Sequence, residues 1–209
     1  MLKSHKAIVG SLYYKVSYFI LPAVFAVVGI LFRAILHLVP ITLFLVIQTL
    51  LMMFEMSTEY FGYGPIYRKN NLGMEYLKTS VSGMQLFRQS ILTDQLLRIA
   101  RCLFYTLIPG LLVYDSTDSP LLLLLFGLAL ANTSIWSVTI TRYITMYGFL
   151  MITNAPLLAI GIFICSICYA LPVLLIPACI VLLLLLPAGV VFTVKFADNK
   201  IRASYSDLR

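Results

Sequence analysis

The fold class is decided by the stretch from Tyr143 to Val194, which reads YITMYGFLMITNAPLLAIGIFICSICYALPVLLIPACIVLLLLLPAGVVFTV and contains no charged residue. A helix that crosses the hydrocarbon core of a bilayer needs about 20 apolar residues. The stretch is therefore long enough for two membrane-spanning helices, and we predict the break between them at Ala170-Leu171-Pro172.

The composition extends this conclusion to the whole chain. Of its 209 residues, 61% are hydrophobic and only 11% are charged, whereas soluble domains carry about 25% charged residues. The mean hydropathy of +0.99 is too high for a surface in water, because even a well-packed core must be covered by polar side chains. These values exclude a soluble enzyme, a disordered tail and a nucleic-acid-binding module, and they favour an all-α polytopic membrane protein.

The other apolar stretches raise the predicted number of transmembrane helices to six. The predicted spans cover residues 17–37, 41–59, 96–114, 119–141, 146–169 and 172–194. Residues 3–17 are predicted to lie in the membrane interface, because tyrosine and lysine side chains suit the headgroup level. One long connection remains outside the bilayer, the loop over residues 60–95.

Lysine and arginine predict the orientation, because they are enriched in short cytoplasmic loops. With both termini in the cytoplasm, almost every basic residue lies on that side, and only Arg33 lies near the outer side. The net charge of +7 is then explained by topology and by contact with anionic membrane lipid. No nucleic-acid partner is expected.

The long loop carries the only substantial soluble feature of the sequence. Ser82 and Gln85 have the spacing of a helix-initiating capping box, in which the Ser side chain caps the helix and the Gln side chain reaches back. Met84, Phe87 and Ile91 follow at helical spacing among polar residues. The pattern predicts an amphipathic helix that leads straight into the third span.

The segment before this helix carries a family resemblance. Residues 75–82 read Glu75-Tyr76-Leu77-Lys78-Thr79-Ser80-Val81-Ser82. This resembles the coupling-helix region of six-span permeases of ABC-type exporters, in which an acidic residue, a Leu-Lys pair, a small residue and an x-Pro-x-Ser step precede an amphipathic helix. The chain departs from that pattern at Ser80-Val81-Ser82, where the proline is missing.

The resemblance implies that residues 1–209 form a single transmembrane permease domain in a bacterial plasma membrane. It implies a cytoplasmic coupling helix that docks a separate ABC-type ATPase subunit, formed by Glu75, Tyr76, Leu77, Lys78 and Thr79. It also implies a second permease, either another copy of this chain or a different chain.

Motifs for catalysis are absent from the sequence. It contains no G-x-x-x-x-G-K-[ST] phosphate-binding loop, no H-E-x-x-H and no G-x-S-x-G, which are signatures of nucleotide binding, zinc proteolysis and serine hydrolysis. We therefore expect no enzyme activity, no cofactor and no metal in this chain. If transport is driven by ATP, then ATP-Mg is bound by the partner ATPase.

Four residues inside predicted spans are candidates for a translocation path or a gate: Arg33, Asn132, Asn154 and Pro156. Each also has a simpler interpretation. A guanidinium near the end of a span can snorkel to the interface, and polar or small residues often hold neighbouring helices together. Arg98 and Arg101 are likewise expected to snorkel from the start of the third span.

Two other function classes remain open. One is the six-span substrate-binding membrane subunit of an energy-coupling-factor importer, which the span count suits and the long cytoplasmic loop does not. The other is a membrane scaffold or immunity protein that only sequesters a partner and transports nothing.

Overall fold

The computed structural model describes residues 2–36, 50, 53–54, 80–112, 119–141 and 148–206. Within these ranges the chain is helical and contains no strand. The helices are α1 (Leu2–Val9), α2 (Ser11–Lys15), a π-helical turn (Val16–Ile20), α3 (Leu21–Leu36), α4 (Val81–Leu112), α5 (Pro120–Thr141), α6 (Gly148–Ala170), a 3-10 turn (Pro172–Leu174) and α7 (Leu175–Ser206).

Four segments of the described chain are long and apolar enough to cross a membrane. They are Ser11–Val28, Pro120–Thr141, Ile152–Ala170 and Pro172–Asn199. The structure thus supports an all-helical, multi-pass class. The six-span count stays a prediction, because most of residues 41–59 lie outside the described residues and α4 is not among the four segments.

The N-terminal region divides at a different place from the one predicted. The short helix α1 ends at Val9, and Gly10 breaks it with a φ of 85°, which glycine adopts without the steric cost of a Cβ. From Ser11 to Leu36 the chain is one continuous helical segment, because the junctions at Val16 and Leu21 keep right-handed helical dihedrals. We call this segment, α2 through α3, the N-terminal rod. Only α1, rather than all of residues 3–17, is separate from it.

Helix α5 is the centre of the bundle. It is largely apolar and has no separate polar face, and most of its residues are buried against α4, α6 and α7. A helix of this kind is stable only when neighbours cover every face. Close approach is made by small residues: Gly127 faces Thr106 and Leu103 of α4, and Gly189 of α7 faces Ile135.

Helix α4 is continuous from Val81 into the bundle, as the amphipathic pattern predicts. It has 32 residues and is therefore about 48 Å long, compared with about 30 Å for the hydrocarbon core. The predicted cap is wrong by two residues. Helix α4 begins at Val81, and the Ser80 hydroxyl accepts the Gly83 N–H at 3.0 Å, which is the geometry of an N-cap.

The beginning of the described chain and its last helix meet at one end of the bundle. Val9 of α1, Phe87 and Ile91 of α4, and Ala197 of α7 form a small buried apolar cluster there. Arg88 and Asp198 form a salt bridge of 2.7 Å beside it. We call this the clustered end. An even number of spans would place α1 and the end of α7 on the same side of the membrane, whichever side the clustered end faces.

The close approach at Gly127 generates the first prediction. A Cβ there would lie 2.7 Å from Thr106 Oγ1 and 2.9 Å from Leu103 Cδ2, whereas a Cβ at Gly189 would lie 3.2 Å from Ile135 Cγ2. Gly127→Ala should therefore lower the free energy of unfolding by about 1–2 kcal/mol, because overpacking exceeds the gain in helix propensity. The matched control, Gly189→Ala, should cost less.

A thermal ramp in detergent with a fluorogenic maleimide measures this difference. Cys102, Cys165, Cys168 and Cys179 are buried and form no disulfide, so their thiols react only when the bundle opens. Equal midpoints for the two variants would show that the approach of α4 and α5 at Gly127 is not tight.

Candidate functional site

Polar and charged side chains are buried together where α1 and the N-terminal rod pack on α4. His5, Asp94 and Arg98 each have an exposed fraction of 0%. We call the whole set the polar network, and its members are His5, Tyr13, Ser17, Tyr18, Ser90, Asp94, Arg98 and Arg101. Ionisable groups inside a membrane protein are costly and mark functional sites, which makes this network the leading candidate.

The carboxylate of Asp94 is the centre of the polar network. Arg98 donates from Nε to Asp94 Oδ2 at 3.0 Å, and the Tyr18 hydroxyl donates to Oδ1. Asp94 and Arg98 are four residues apart in α4, so the helix itself places them on one face. Arg98 also donates from a terminal nitrogen to the Tyr13 hydroxyl at 3.3 Å. The ion pair of α4 is thereby bonded to the N-terminal rod.

His5 connects α1 to the same carboxylate. Its Nε2 lies 3.0 Å from the Tyr18 hydroxyl, and its Nδ1 lies 2.9 Å from Ser90 Oγ. Because Tyr18 donates its hydroxyl proton to Asp94, its oxygen acts as the acceptor toward His5. His5 therefore carries its proton on Nε2. In the neutral ring Nδ1 then accepts from Ser90, so the hydrogen bonds run in one direction, from Ser90 through His5 and Tyr18 to Asp94.

Arg101 is bound by a backbone carbonyl that the π-helical turn exposes. In that turn the Leu21 N–H donates to Val16 O, and Pro22 has no N–H to give. Neither residue is left to satisfy Ser17 O, and Arg101 donates to this oxygen at 2.9 Å. The guanidinium also lies 5.6 Å from the centre of the Tyr18 ring, within the range of a cation–π contact.

The arrangement couples three elements mechanically. Separating α1 or the N-terminal rod from α4 would leave the buried Asp94 and Arg98 without hydrogen bonds that they have in the folded chain, and charged groups deprived of partners in a low-dielectric interior are strongly destabilising. The network thus favours movement of α1, the rod and α4 as one body. We interpret the network as structural, because the oxygens of the Asp94 carboxylate already accept hydrogen bonds from Tyr18 and Arg98.

The structure distributes the residues predicted from sequence over several places. Glu75, Tyr76, Leu77, Lys78 and Thr79 lie outside the described residues. Arg33 lies in the last turn of α3, at the end of the rod away from Gly10. Asn154 is buried in α6, and Pro156 lies inside the same helix.

Asn132 is buried in α5, where its Nδ2 donates to Leu128 O at 2.9 Å and to Leu182 O of α7 at 3.0 Å. The second bond crosses to another helix, so Asn132 does hold α5 and α7 together. It also lines a cavity between α5, α6 and α7, which Asn154 and Pro156 do not line. Of the three candidate path residues on α5 and α6, the cavity is therefore lined by Asn132 alone.

The sequence-based interpretation of Arg98 and Arg101 is wrong. Both were expected to snorkel, but their exposed fractions are 0% and 6%. The Asp94–Arg98 spacing of four residues was a signal that could have indicated an ion pair on α4. The roles of His5 and Tyr18 had no comparable signal, because they depend on how α1 and the rod fold back on α4.

The cysteines of α6 and α7 pack as apolar side chains. Cys165, Cys168 and Cys179 belong to the main buried cluster, as expected for a common filler of apolar helices. Among the described residues, no three His, Cys, Asp or Glu side chains are grouped so that they could hold a metal ion.

Comparison with protein-family models, with curated proteins and with solved structures finds no match to this chain. The resemblance of residues 75–82 to exporter permeases therefore has no support from a wider similarity of sequence or fold.

The Asp94–Arg98 pair generates a prediction about stability. Asp94→Asn leaves the buried Arg98 without its countercharge, and removal of one partner of a buried pair costs about 3–5 kcal/mol. We expect a large fall in the midpoint of the maleimide thermal ramp. The double variant Asp94→Asn with Arg98→Met should recover part of that loss, because it removes the second charge as well. A double variant less stable than Asp94→Asn alone would contradict the role given to the pair.

The Tyr18 hydroxyl can be tested separately from its ring. Tyr18→Phe keeps the ring but deletes the oxygen that joins His5 to Asp94, so it should lower the free energy of unfolding by about 1–3 kcal/mol. Tyr14→Phe is the matched control, because Tyr14 contacts His5 and Tyr18 through its ring. The same thermal ramp should show a fall for Tyr18→Phe and little change for Tyr14→Phe. Equal falls would mean that the hydroxyl does not join the two helices.

Proposed function

We propose that this chain is the permease subunit of an ATP-driven ABC transporter, an exporter, with six spans in a bacterial plasma membrane and both termini in the cytoplasm. It docks a separate ATPase through Glu75, Tyr76, Leu77, Lys78 and Thr79. The chain hydrolyses nothing itself, and ATP-Mg is bound by that ATPase. A second permease, either another copy of this chain or a different chain, completes the transporter.

The observation that carries the proposal is the continuity of α4. This helix begins at Val81, two residues after the proposed docking segment, and continues without a break to Leu112 in the bundle. A helix about 48 Å long is about 18 Å longer than the hydrocarbon core is thick. A push on its first turn is therefore passed to the membrane-embedded part as tilt or displacement of a rigid element.

The polar network extends that displacement to the rest of the bundle. It joins α4 to α1 through Ser90 and His5, and to the N-terminal rod through Tyr13 and Tyr18. The Arg88–Asp198 salt bridge adds α7 at the clustered end, although its exposure limits its strength. Movement of α4 would thus carry the first span along and act on α7, as a permease driven from the cytoplasm requires.

A substrate-binding membrane subunit of an importer is the second candidate, and one observation favours it. The bundle contains a cavity of about 210 Å³ that is lined in part by Asn132. A cavity is what a subunit of that class needs, because it retains a small molecule in the membrane. A scaffold or immunity protein requires neither a lever nor a cavity, so nothing in the structure favours it.

Purification from the native membrane in a gentle detergent tests the docking segment. We expect mass spectrometry to find an ATPase with a phosphate-binding loop at about one copy per copy of this chain. Tyr76→Ala with Leu77→Ala should reduce its recovery at least 10-fold, because truncating a central aromatic contact typically costs 2 kcal/mol or more.

The matched control is Tyr169→Ala with Leu171→Ala, which removes an exposed tyrosine and leucine at the junction of α6 and the 3-10 turn. Its ATPase recovery should equal that of the unaltered chain, and all variants should insert into the membrane equally. An ATPase retained by the Tyr76 and Leu77 variant would place the interface elsewhere. A chain that brings no ATPase, even after crosslinking, would contradict the permease assignment.

A further inference from the structure

The cavity between α5, α6 and α7 is lined almost entirely by apolar side chains. Its volume is about 210 Å³, and the residues that bear on its chemistry are Asn132, Trp136, Leu157, Ile164, Leu182 and Leu185. An apolar cavity of about 150 Å³ is large enough to bind benzene. This cavity is therefore large enough for a six-membered ring with one or two substituents.

Two of the lining residues show how the cavity is reached. Ile160 of α6 has an exposed fraction of 55%, and Leu185 of α7 has one of 42%. Side chains that both line a cavity and remain exposed lie at its mouth. Both belong to segments apolar and long enough to cross a membrane, so the mouth opens toward the hydrocarbon core, and a ligand would enter from the lipid phase.

Three lining residues carry polar groups, Asn132, Thr133 and Trp136, and among them Asn132 has a buried polar atom that makes no hydrogen bond to the described residues. Its Nδ2 donates to two carbonyl oxygens, Leu128 O and Leu182 O. Because carbonyl oxygens only accept hydrogen bonds, the nitrogen must face them, and the orientation of the amide is determined. The other polar atom, Oδ1, is buried, and within the described chain no donor reaches it.

A buried acceptor without a donor is costly, so it marks a place where a donor belongs. Water meets the requirement poorly, because a buried water needs two to four polar partners and the lining of this cavity is mostly apolar. A lipid acyl chain could fill the volume, but it has no donor. The complement of this cavity is an apolar body that carries one O–H or N–H group.

We propose that the cavity between α5, α6 and α7 is a binding site for a small amphiphilic molecule, with a ring-sized apolar body and one hydroxyl or N–H group that donates to Asn132 Oδ1. The site takes its ligand from the membrane. Its binding chemistry is independent of the docking segment, so this inference goes beyond the proposed permease function and does not need an ATPase to be tested.

Trp136 provides a direct readout, because it lines the cavity and is the only tryptophan in the chain. The probes are 4-bromophenol, which has a donor, and bromobenzene, which has none. Bromine quenches tryptophan fluorescence on contact. In vesicles containing the purified chain, 4-bromophenol should give saturable quenching with an affinity about 3- to 10-fold higher than bromobenzene after correction for partitioning, the value of one neutral hydrogen bond.

Two variants separate the hydrogen bond from the volume. Asn132→Leu removes the acceptor, and the affinity ratio between the two probes should fall to about 1. Gly161→Leu places a side chain at a glycine that lines the cavity and keeps the Asn132 bonds to α5 and α7. It should abolish saturable quenching by both probes, so the site can be tested even if Asn132→Leu fails to fold.

Linear quenching by both probes in the unaltered chain would overturn the proposal, because it would report contact from the lipid alone or a cavity already filled by an acyl chain. Saturable quenching with the same affinity ratio in Asn132→Leu would overturn the assignment of the donor contact. Neither result would bear on ATPase docking, and a failure to recover an ATPase would leave these binding measurements unaffected.

Discussion

The position of the N-terminal helices depends on the buried carboxylate of Asp94. A charge that has lost its water is tolerated only where several partners surround it, and α4 supplies an ion-pair partner from its own sequence, Arg98. Tyr18 of the N-terminal rod supplies the hydroxyl at the other oxygen, and His5 of α1 holds that hydroxyl in turn. The cost of leaving these groups unsatisfied therefore helps to hold α1 and the rod against α4.

The bundle uses two kinds of cohesion at different places. Around α5, stability comes from apolar packing, with glycines at the closest helix approaches and a hydroxyl contact between Thr139 and Thr193. Most of this packing is non-directional, and two hydrogen bonds, Thr139 to Thr193 and Asn132 to Leu182 O, join α5 to α7. The polar network is directional, so it resists sliding between α4 and the rod. For the proposed permease, this places charged, directional contacts on the helix that would receive the push of the ATPase.

Asn132 is also a buried polar residue whose atoms need hydrogen-bond partners, but it lies in the apolar part of the bundle. Its amide nitrogen finds two carbonyl oxygens, one on its own helix and one on α7. Its oxygen is buried and finds no donor in the described chain, and the residue lines a cavity. In the polar network a buried acceptor is satisfied by neighbouring helices, whereas for Asn132 we propose that a molecule from outside the chain supplies the donor.

The sequence by itself determined the class of the protein, a helical membrane protein. Apolar stretches of about 20 residues match the thickness of the hydrocarbon core, and the charges that flank them lie at its edges. The sequence also determined the break after Ala170 and the course of the amphipathic helix through Phe87 and Ile91, since both follow from local chemistry. Only the tertiary structure decided the candidate sites. His5 and Ser90 are 85 residues apart in the chain, and no local pattern shows that they meet. The position of Arg98 near the end of a predicted span predicts a snorkelling cation, but the side chain is buried where α1 and the rod pack on α4. Burial and hydrogen-bond partners depend on which helices pack together, and helix packing depends on interactions between segments that lie far apart in the sequence.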